Sequence, residues 1–316
     1  MEVVASNSSH EVDARTWLNA HKAETGKSWP QLGALADVNG NTISTFASGK
    51  YGGDNASIAT KVLAYRDRIA VQSELAADLP MVPAWYDTPT AQRITQMLKW
   101  AQSGKMVMVV GGPGIGKTKA AQRFAAGDPN VWLATMSPST AGVATMLIEM
   151  GSAIGLGEIK GSPQQLSRQI RARIANRSGL IIIDEAQELT DKALNELRGL
   201  HDATGVGIAL FGNEKVVGQL DSRKSALAQV TSRISLPMIQ PGALAGDIDA
   251  LLDAWGIEDV GQRSFLTRLG NLPGALREMT HTIEVALMAA FSADQALSIT
   301  HLRDAARQRN VKVVGL

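Results

Sequence analysis

The sequence predicts an α/β chain: a parallel sheet sandwiched by helices, preceded by an all-α segment and followed by a smaller helical one. Three observations predict it. Strand-length apolar runs alternate with helix-length stretches between residues 105 and 237, the pattern of a parallel sheet with crossover helices. Residues 11–75 carry apolar residues at helical spacing, as in Ile58, Val62 and Tyr65 with Leu63 and Ile69 beside them. After about residue 243 the strand signal fades.

Taken in order, residues 1–76 form a helical domain. The stretch 77–89 contains three prolines, Pro80, Pro83 and Pro89, which favour an extended linker. Thr88-Pro89 reads as a helix start, with Thr88 as N-cap and Pro89 at the first helical position. Strands are expected at 105–110, 131–135, 180–184, 206–211 and 233–237, with helices at 117–126, 140–153, 164–176 and 191–202. These make a core over 90–242. Helices at 247–254, 261–269, 274–291 and 300–309 make a C-terminal domain over 243–316.

Composition narrows the function classes. Hydrophobic residues make up 45% and charges nearly cancel to +1, so a packed core is affordable and a disordered tail protein is excluded. Nucleic-acid contact would have to come from local patches. The absence of cysteine removes disulfides, thiolate metal sites and cysteine nucleophiles. The first ten residues are polar and the longest apolar runs are strand-length, so a soluble, cytoplasmic protein is expected.

The strongest motif is Gly111-Gly112-Pro113-Gly114-Ile115-Gly116-Lys117-Thr118. It fits G-x-x-x-x-G-K-[ST] between an expected strand and an expected helix. Glycines let such a loop wrap a phosphate with backbone N–H groups, and the following helix aims its positive end at the same anion. Lys117 is expected at the β- and γ-phosphates and Thr118 on Mg²⁺. The second motif is Leu180-Ile-Ile-Ile-Asp-Glu185. It places Asp184 at the carboxyl end of a strand, where open α/β sheets bind ligands. Asp184 would hold Mg²⁺ through water, and Glu185 would polarise the attacking water. Asn213 after a strand, Arg233 in Thr231-Ser-Arg-Ile-Ser235 and Arg277 in Pro273-Gly-Ala-Leu-Arg277 complete the set. On position alone each of these three is as readily an ordinary surface residue.

These elements in this order resemble the AAA+ ATPases over roughly residues 90–310. The resemblance implies ATP and Mg²⁺ as ligands, Asn213 as sensor 1, Arg233 as a finger reaching a neighbouring subunit's ATP, and Arg277 as sensor 2. A narrower resemblance covers nearly the whole chain. A small helical domain with Thr42-Ile-Ser-Thr-Phe and Lys50-Tyr-Gly-Gly-Asp-Asn55 precedes Tyr86-Asp-Thr-Pro-Thr. Asn130-Val-Trp-Leu, Gly179-Leu-Ile-Ile-Ile-Asp-Glu-Ala and Leu272-Pro-Gly-Ala-Leu-Arg follow. The set is similar to the phage Mu B transposition protein family. That resemblance implies an ATP-dependent, largely non-specific binder of double-stranded DNA. Such a protein polymerises on DNA, presents it to a transposase, stimulates the transposase, and leaves on ATP hydrolysis.

Residues 28–50 fit a helix-turn-helix. Gly33 lies where the helices cross, Asp37 and Asn39-Gly40 bracket the turn, and Val38 and Ile43 face inward. Its second helix would show Asn41, Thr42, Thr45 and Ser48 to a DNA groove, with Lys50 near phosphate. Residues 1–75 carry seven Lys or Arg against eight Asp or Glu, so a protein-contact role stands beside the DNA role. A second candidate surface is Lys160, Arg168, Arg171, Arg173 and Arg177, with Glu158 the one nearby acid in sequence. Leu166, Ile170 and Ile174 form the buried stripe of that helix, with Arg168 and Arg171 expected to point away. It reads either as a solvated helix with cations near its C-terminus or, repeated through an assembly, as a track for DNA phosphates.

Two other functions fit the same motifs: an AAA+ loader of a replication helicase or clamp, and a helix-turn-helix transcription regulator with a P-loop switch. A small-molecule kinase fits poorly, since no acceptor pocket is recognisable.

Overall fold

The computed structural model describes residues 2–77, 82–221 and 228–311. The chain divides into two compact units, Met1–Pro80 and Met81–Leu316. Within the expected 77–89 linker, residues 78–81 lie outside the described residues.

The first unit is helical throughout: α1 (Glu2–Thr25), α2 (Trp29–Leu35), α3 (Gly40–Ala47) and α4 (Asn55–Ala77). Ser28 and Gln31 box the start of α2, and the Asn39 side chain caps α3 by accepting from the Asn41 N–H at 2.9 Å. The two short helices cross on Gly33, as expected, and also on Gly40, expected only to bracket the turn. A Cβ on Gly33 would sit 2.5 Å from the Val38 carbonyl oxygen, and one on Gly40 2.8 Å from the Pro30 Cα. Leu18, Leu32, Ile43, Phe46 and Val62 are fully buried between the helices, with Val38 packed against them.

The second unit begins with residues 82–88, which pack onto it: Trp85 lies against the sheet-side core and Tyr86 against the helical core. Thr88 then caps α5 (Pro89–Gln102), accepting from the Ala91 N–H at 3.0 Å. Five parallel strands follow in the order β2-β3-β4-β1-β5: β1 (Met106–Gly111), β2 (Val131–Thr135), β3 (Leu180–Asp184), β4 (Gly207–Gly212) and β5 (Ile234–Gln240). The intervening helices are α6 (Lys117–Ala126), α7 (Val143–Ala153), α8 (Pro163–Ile174), α9 (Asp191–Thr204), α10 (Glu214–Asp221) and α11 (Ala228–Thr231). Alternation along β1 sends Val107 and Val109 toward α5 and α6, and Met106, Met108 and Val110 toward α7, α8 and α9. Both faces are covered, which is why the inner strands are unbroken apolar runs.

Most boundaries shift by one or two residues from expectation, and three of the differences have a visible cause. The helix expected from 140 starts at Val143, because Pro138–Thr140 is a separate 3-10 turn. The helix expected to run to 176 stops at Ile174, where Ala175 turns extended. The last strand runs past Pro237 to Gln240. It is the sheet edge, where a missing N–H is tolerated.

Helices α12 (Ala245–Ala254), α13 (Val260–Gly270), α14 (Ala275–Ser292) and α15 (Ile299–Gln308) close around Leu251, Phe265, Leu269, Ile283 and Leu302. A buried polar joint ties this helical part to the sheet. Asp247 accepts from the Thr90 N–H and the Leu244 N–H, both at 2.8 Å, and from the Thr90 hydroxyl. The Gln240 amide donates to that hydroxyl at 2.7 Å. Among the described residues, no helix is long and apolar enough to cross a membrane.

Candidate functional site

The carboxyl ends of β1, β3 and β4 converge on one loop. Residues 111–116 leave β1 and turn into α6 through Gly116, whose φ is 92°. The loop is held from two sides. A Cβ on Gly112 would overlap the Pro241 carbonyl, and one on Gly114, whose φ is 78°, would overlap the Gly274 carbonyl at the start of α14. Backbone meets backbone here, which only glycine permits. Ile115 is buried beneath the loop. Pro113 is exposed.

Lys117 curls back on the loop and donates to the carbonyls of Gly111 and Gly112 at 2.8 and 2.9 Å. Its half-burial pushes its ammonium pKa down, while Asp184 and Glu185 pull it up. Thr118 donates to Asp184 Oδ2 at 2.7 Å. Asp184, the last residue of β3, is 2% exposed and also accepts from the Glu185 N–H at 3.0 Å. Burial raises its carboxyl pKa, and these two hydrogen bonds oppose that. Glu185 follows in a left-handed conformation, φ 56°, and stays exposed. Lys117, Thr118, Glu185 and Arg277 line one cavity of about 570 Å³.

Asn213 sits on the other side of the loop, lining a cavity of about 600 Å³ with Gly111, Gly112 and Pro113. Its side-chain oxygen accepts from the Lys215 N–H at 2.9 Å. Arg233 is elsewhere. It precedes β5, whose Ile234 pairs with Met106 at the amino end of β1, while Gln240 pairs with Gly111. Seven residues of strand put Arg233 roughly 23 Å from its own phosphate loop, at ~3.3 Å per residue.

The chemistry of the donor set suits a magnesium nucleotide. Thr118 and Asp184 offer hard oxygens, and no cluster of three or more His, Cys, Asp or Glu suited to a metal exists among the described residues. Such oxygens are the donors by which one or two protein groups plus phosphates hold Mg²⁺.

Other residues of this site escaped sequence reasoning. Trp85, Tyr86, Thr280, His281 and Glu284 line the far end of the cavity that holds Lys117. Burial raises the Tyr86 hydroxyl pKa, and Arg123 lies 4.6 Å over the Trp85 ring. Gln187 joins two strand ends: its amide donates to the Glu185 carboxylate and accepts from the Asn213 N–H at 3.2 Å. Gln187 lies two places beyond Glu185, yet no local sequence signal marks it.

On α3, Asn41 and Thr45 are exposed and Thr42 is half-buried; Ser48 and Lys50, just beyond its end, are exposed. The Thr45 and Ser48 hydroxyls donate to backbone carbonyls of their own helix, which leaves their oxygens as acceptors. On and beside α8, Lys160, Arg168 and Arg177 are exposed and Arg173 is half-buried. Arg171 departs from expectation. Packing of α8 on α9 brings Glu196 within 3.9 Å of its guanidinium, and Ser167 donates to the same carboxylate at 2.7 Å. Glu158 is therefore not the one acid near this helix.

Residues 101–220 match the AAA domain model, and residues 232–308 match the model of the Mu B transposition protein C-terminal domain. The ATP-dependent target DNA activator B of Escherichia phage Mu is 30% identical over 304 residues, spanning 95% of this chain and 96% of its own. The chain belongs to the Mu B transposition protein family. A second member, the Mu-like prophage FluMu DNA transposition protein B of Haemophilus influenzae, is 33% identical over 84% of this chain and 93% of its own. The fold is also that of the Aeropyrum pernix ORC2 protein, with a TM-score of 0.53 and 16% identity over 71% of this chain and 70% of that one. This Mu B family member is accordingly a nucleotide-binding ATPase with an AAA+ parallel sheet and a C-terminal helical part.

Proposed function

We propose that this protein is an ATP-dependent target-DNA activator: it assembles on double-stranded DNA with little sequence preference, delivers it to a transposase and stimulates strand transfer. ATP hydrolysis then releases the DNA. The supporting observation is the division of the site. Lys117, Thr118, Glu185 and Arg277 share one cavity, whereas Arg233 lies at the far end of the sheet. A complete site therefore takes Arg233 from a second copy.

In this reading Gly111 to Gly116 cradle the phosphates, and Lys117 releases its two carbonyls to meet them. Thr118 and Asp184 hold Mg²⁺, which when bound neutralises charge on the phosphates. Glu185 accepts the proton of the attacking water, Asn213 and Arg277 position the γ-phosphate, and Trp85 and Tyr86 flank the base. Arg233 stabilises the charge that develops on the transferred group in the neighbouring subunit. In GTPases an arginine supplied in trans contributes a factor of ~10³–10⁵. Assembly thus switches hydrolysis on, and many weak phosphate contacts become one strong attachment only in the ATP-bridged oligomer. Residues 1–76, joined through 77–89 to the ATPase, supply α3 as a further contact surface for DNA or for protein.

Electron microscopy of the purified protein on linear duplex tests the reading: regular coating with ATP and bare DNA without it. A stoichiometric complex with a replication protein and no coating would favour a loader instead.

A further inference from the structure

The Gln187 side chain makes two contacts that need opposite ends of an amide. The Glu185 carboxylate only accepts, so it requires the amide nitrogen; the Asn213 N–H only donates, so it requires the amide oxygen. The two contacts therefore fix the same amide orientation, and flipping it would break both. The space is made to fit. A Cβ on Gly212 at the end of β4 would come 2.8 Å from the Gln187 oxygen. Gln187 itself is held in the short 3-10 turn Ala186–Glu188, which follows Glu185 in its left-handed conformation. A non-glycine residue keeps such a backbone only where its surroundings hold it.

We infer that Gln187 is a positioning residue for hydrolysis: it ties the Glu185 carboxylate to the backbone of Asn213, so that the base and the end of β4 move as one. The inference rests on the assignment of Glu185 as the base. One carboxylate oxygen is engaged by the amide, and the other remains to accept from water. A displacement of Asn213 by the terminal phosphate reaches Glu185 through one side chain. In this arrangement Gln187 acts through Glu185, with which its amide shares a hydrogen bond.

The test is steady-state ATP hydrolysis by the full-length protein with duplex DNA, alongside calorimetric ATP binding. Q187M keeps the length and loses both hydrogen bonds. It should lower kcat by roughly 10–100-fold, the scale of a misplaced reacting group, and leave KM and the binding constant within about twofold. Q187E keeps the acceptor for Asn213 and sets a carboxylate against Glu185, so it should be impaired to a similar degree. If Q187M does not fold by circular dichroism, Q187E carries the same expectation. Combined with E185Q, Q187M should add less than about twofold, since groups acting as a unit are not additive. Near-wild-type kcat in both variants, a loss confined to ATP binding, or a fully multiplicative double variant overturns the proposal. An E185Q protein as fast as wild type removes the base assignment itself, and this proposal with it.

Discussion

Arg233 donates from Nε to Asp202 Oδ1 at 2.9 Å, joining the amino end of β5 to the last turn of α9. The carboxylate pKa is lowered and the guanidinium pKa raised, in both cases first by that hydrogen bond. Both side chains are on the surface, at the opposite end of the sheet from Gly111. In the proposed assembly, the arginine would leave this carboxylate to meet a neighbouring subunit's phosphates.

Arg233→Ala should keep ATP binding while hydrolysis falls by about 10³ or more and ordered coating of DNA is lost. Regular filaments of this variant in the electron microscope would mean that another arginine completes the site. Asp202→Ala, which frees Arg233, should still assemble.

Lys117→Ala should abolish ATP binding by calorimetry, because the loop loses the cation it presents to the phosphates. DNA retention should go with it. Undiminished ATP-dependent DNA binding would remove the proposed mechanism.

Glu185→Gln should bind ATP, turn over little, and dissociate from DNA more slowly in a filter or single-molecule assay. Rapid turnover contradicts its role as base.

Asp247→Ala leaves the Thr90 N–H, the Thr90 hydroxyl and the Leu244 N–H without their buried acceptor. With each of the two buried Thr90 donors costing ~1–3 kcal/mol when unmet, and Leu244 itself exposed to water, the second unit should lose about 2 kcal/mol or more in urea unfolding. A loss under about 1 kcal/mol would show that water replaces the carboxylate.

Lys160→Ala with Arg168→Ala should reduce the slope of log K against log salt for duplex binding by about 2, at ~0.9 per phosphate contact. Arg171→Ala, which removes the cation beside Glu196 but leaves its Ser167 hydrogen bond, should act mainly on packing of α8 against α9. An unchanged slope in the double variant would assign α8 to solvent.

The parts of the site readable from the chain are those whose determinants are contiguous. The run from Gly111 to Thr118 needs only its own glycines and the flanking strand and helix, and Asp184-Glu185 needs only the apolar strand before it. Thr88-Pro89 and Gly33 with Gly40 are likewise short-range signals, because caps and tight crossings are set within a turn or two of chain. Helix ends were less legible: Ala175 and Pro138–Thr140 redirect the backbone without an abrupt change in composition.

What required the folded chain is what depends on neighbours distant in sequence. The strand order β2-β3-β4-β1-β5 leaves no mark on any single strand, since every inner strand is apolar on both faces. That order puts Asn213 beside the phosphate loop, while the parallel run of β5 puts Arg233 a strand's length from it. Asp247 finds Thr90 across 157 positions, and Glu196 reaches Arg171 only because α8 packs on α9. Local spacing is encoded by the few torsions between adjacent residues, whereas these partnerships follow from burying many apolar side chains at once.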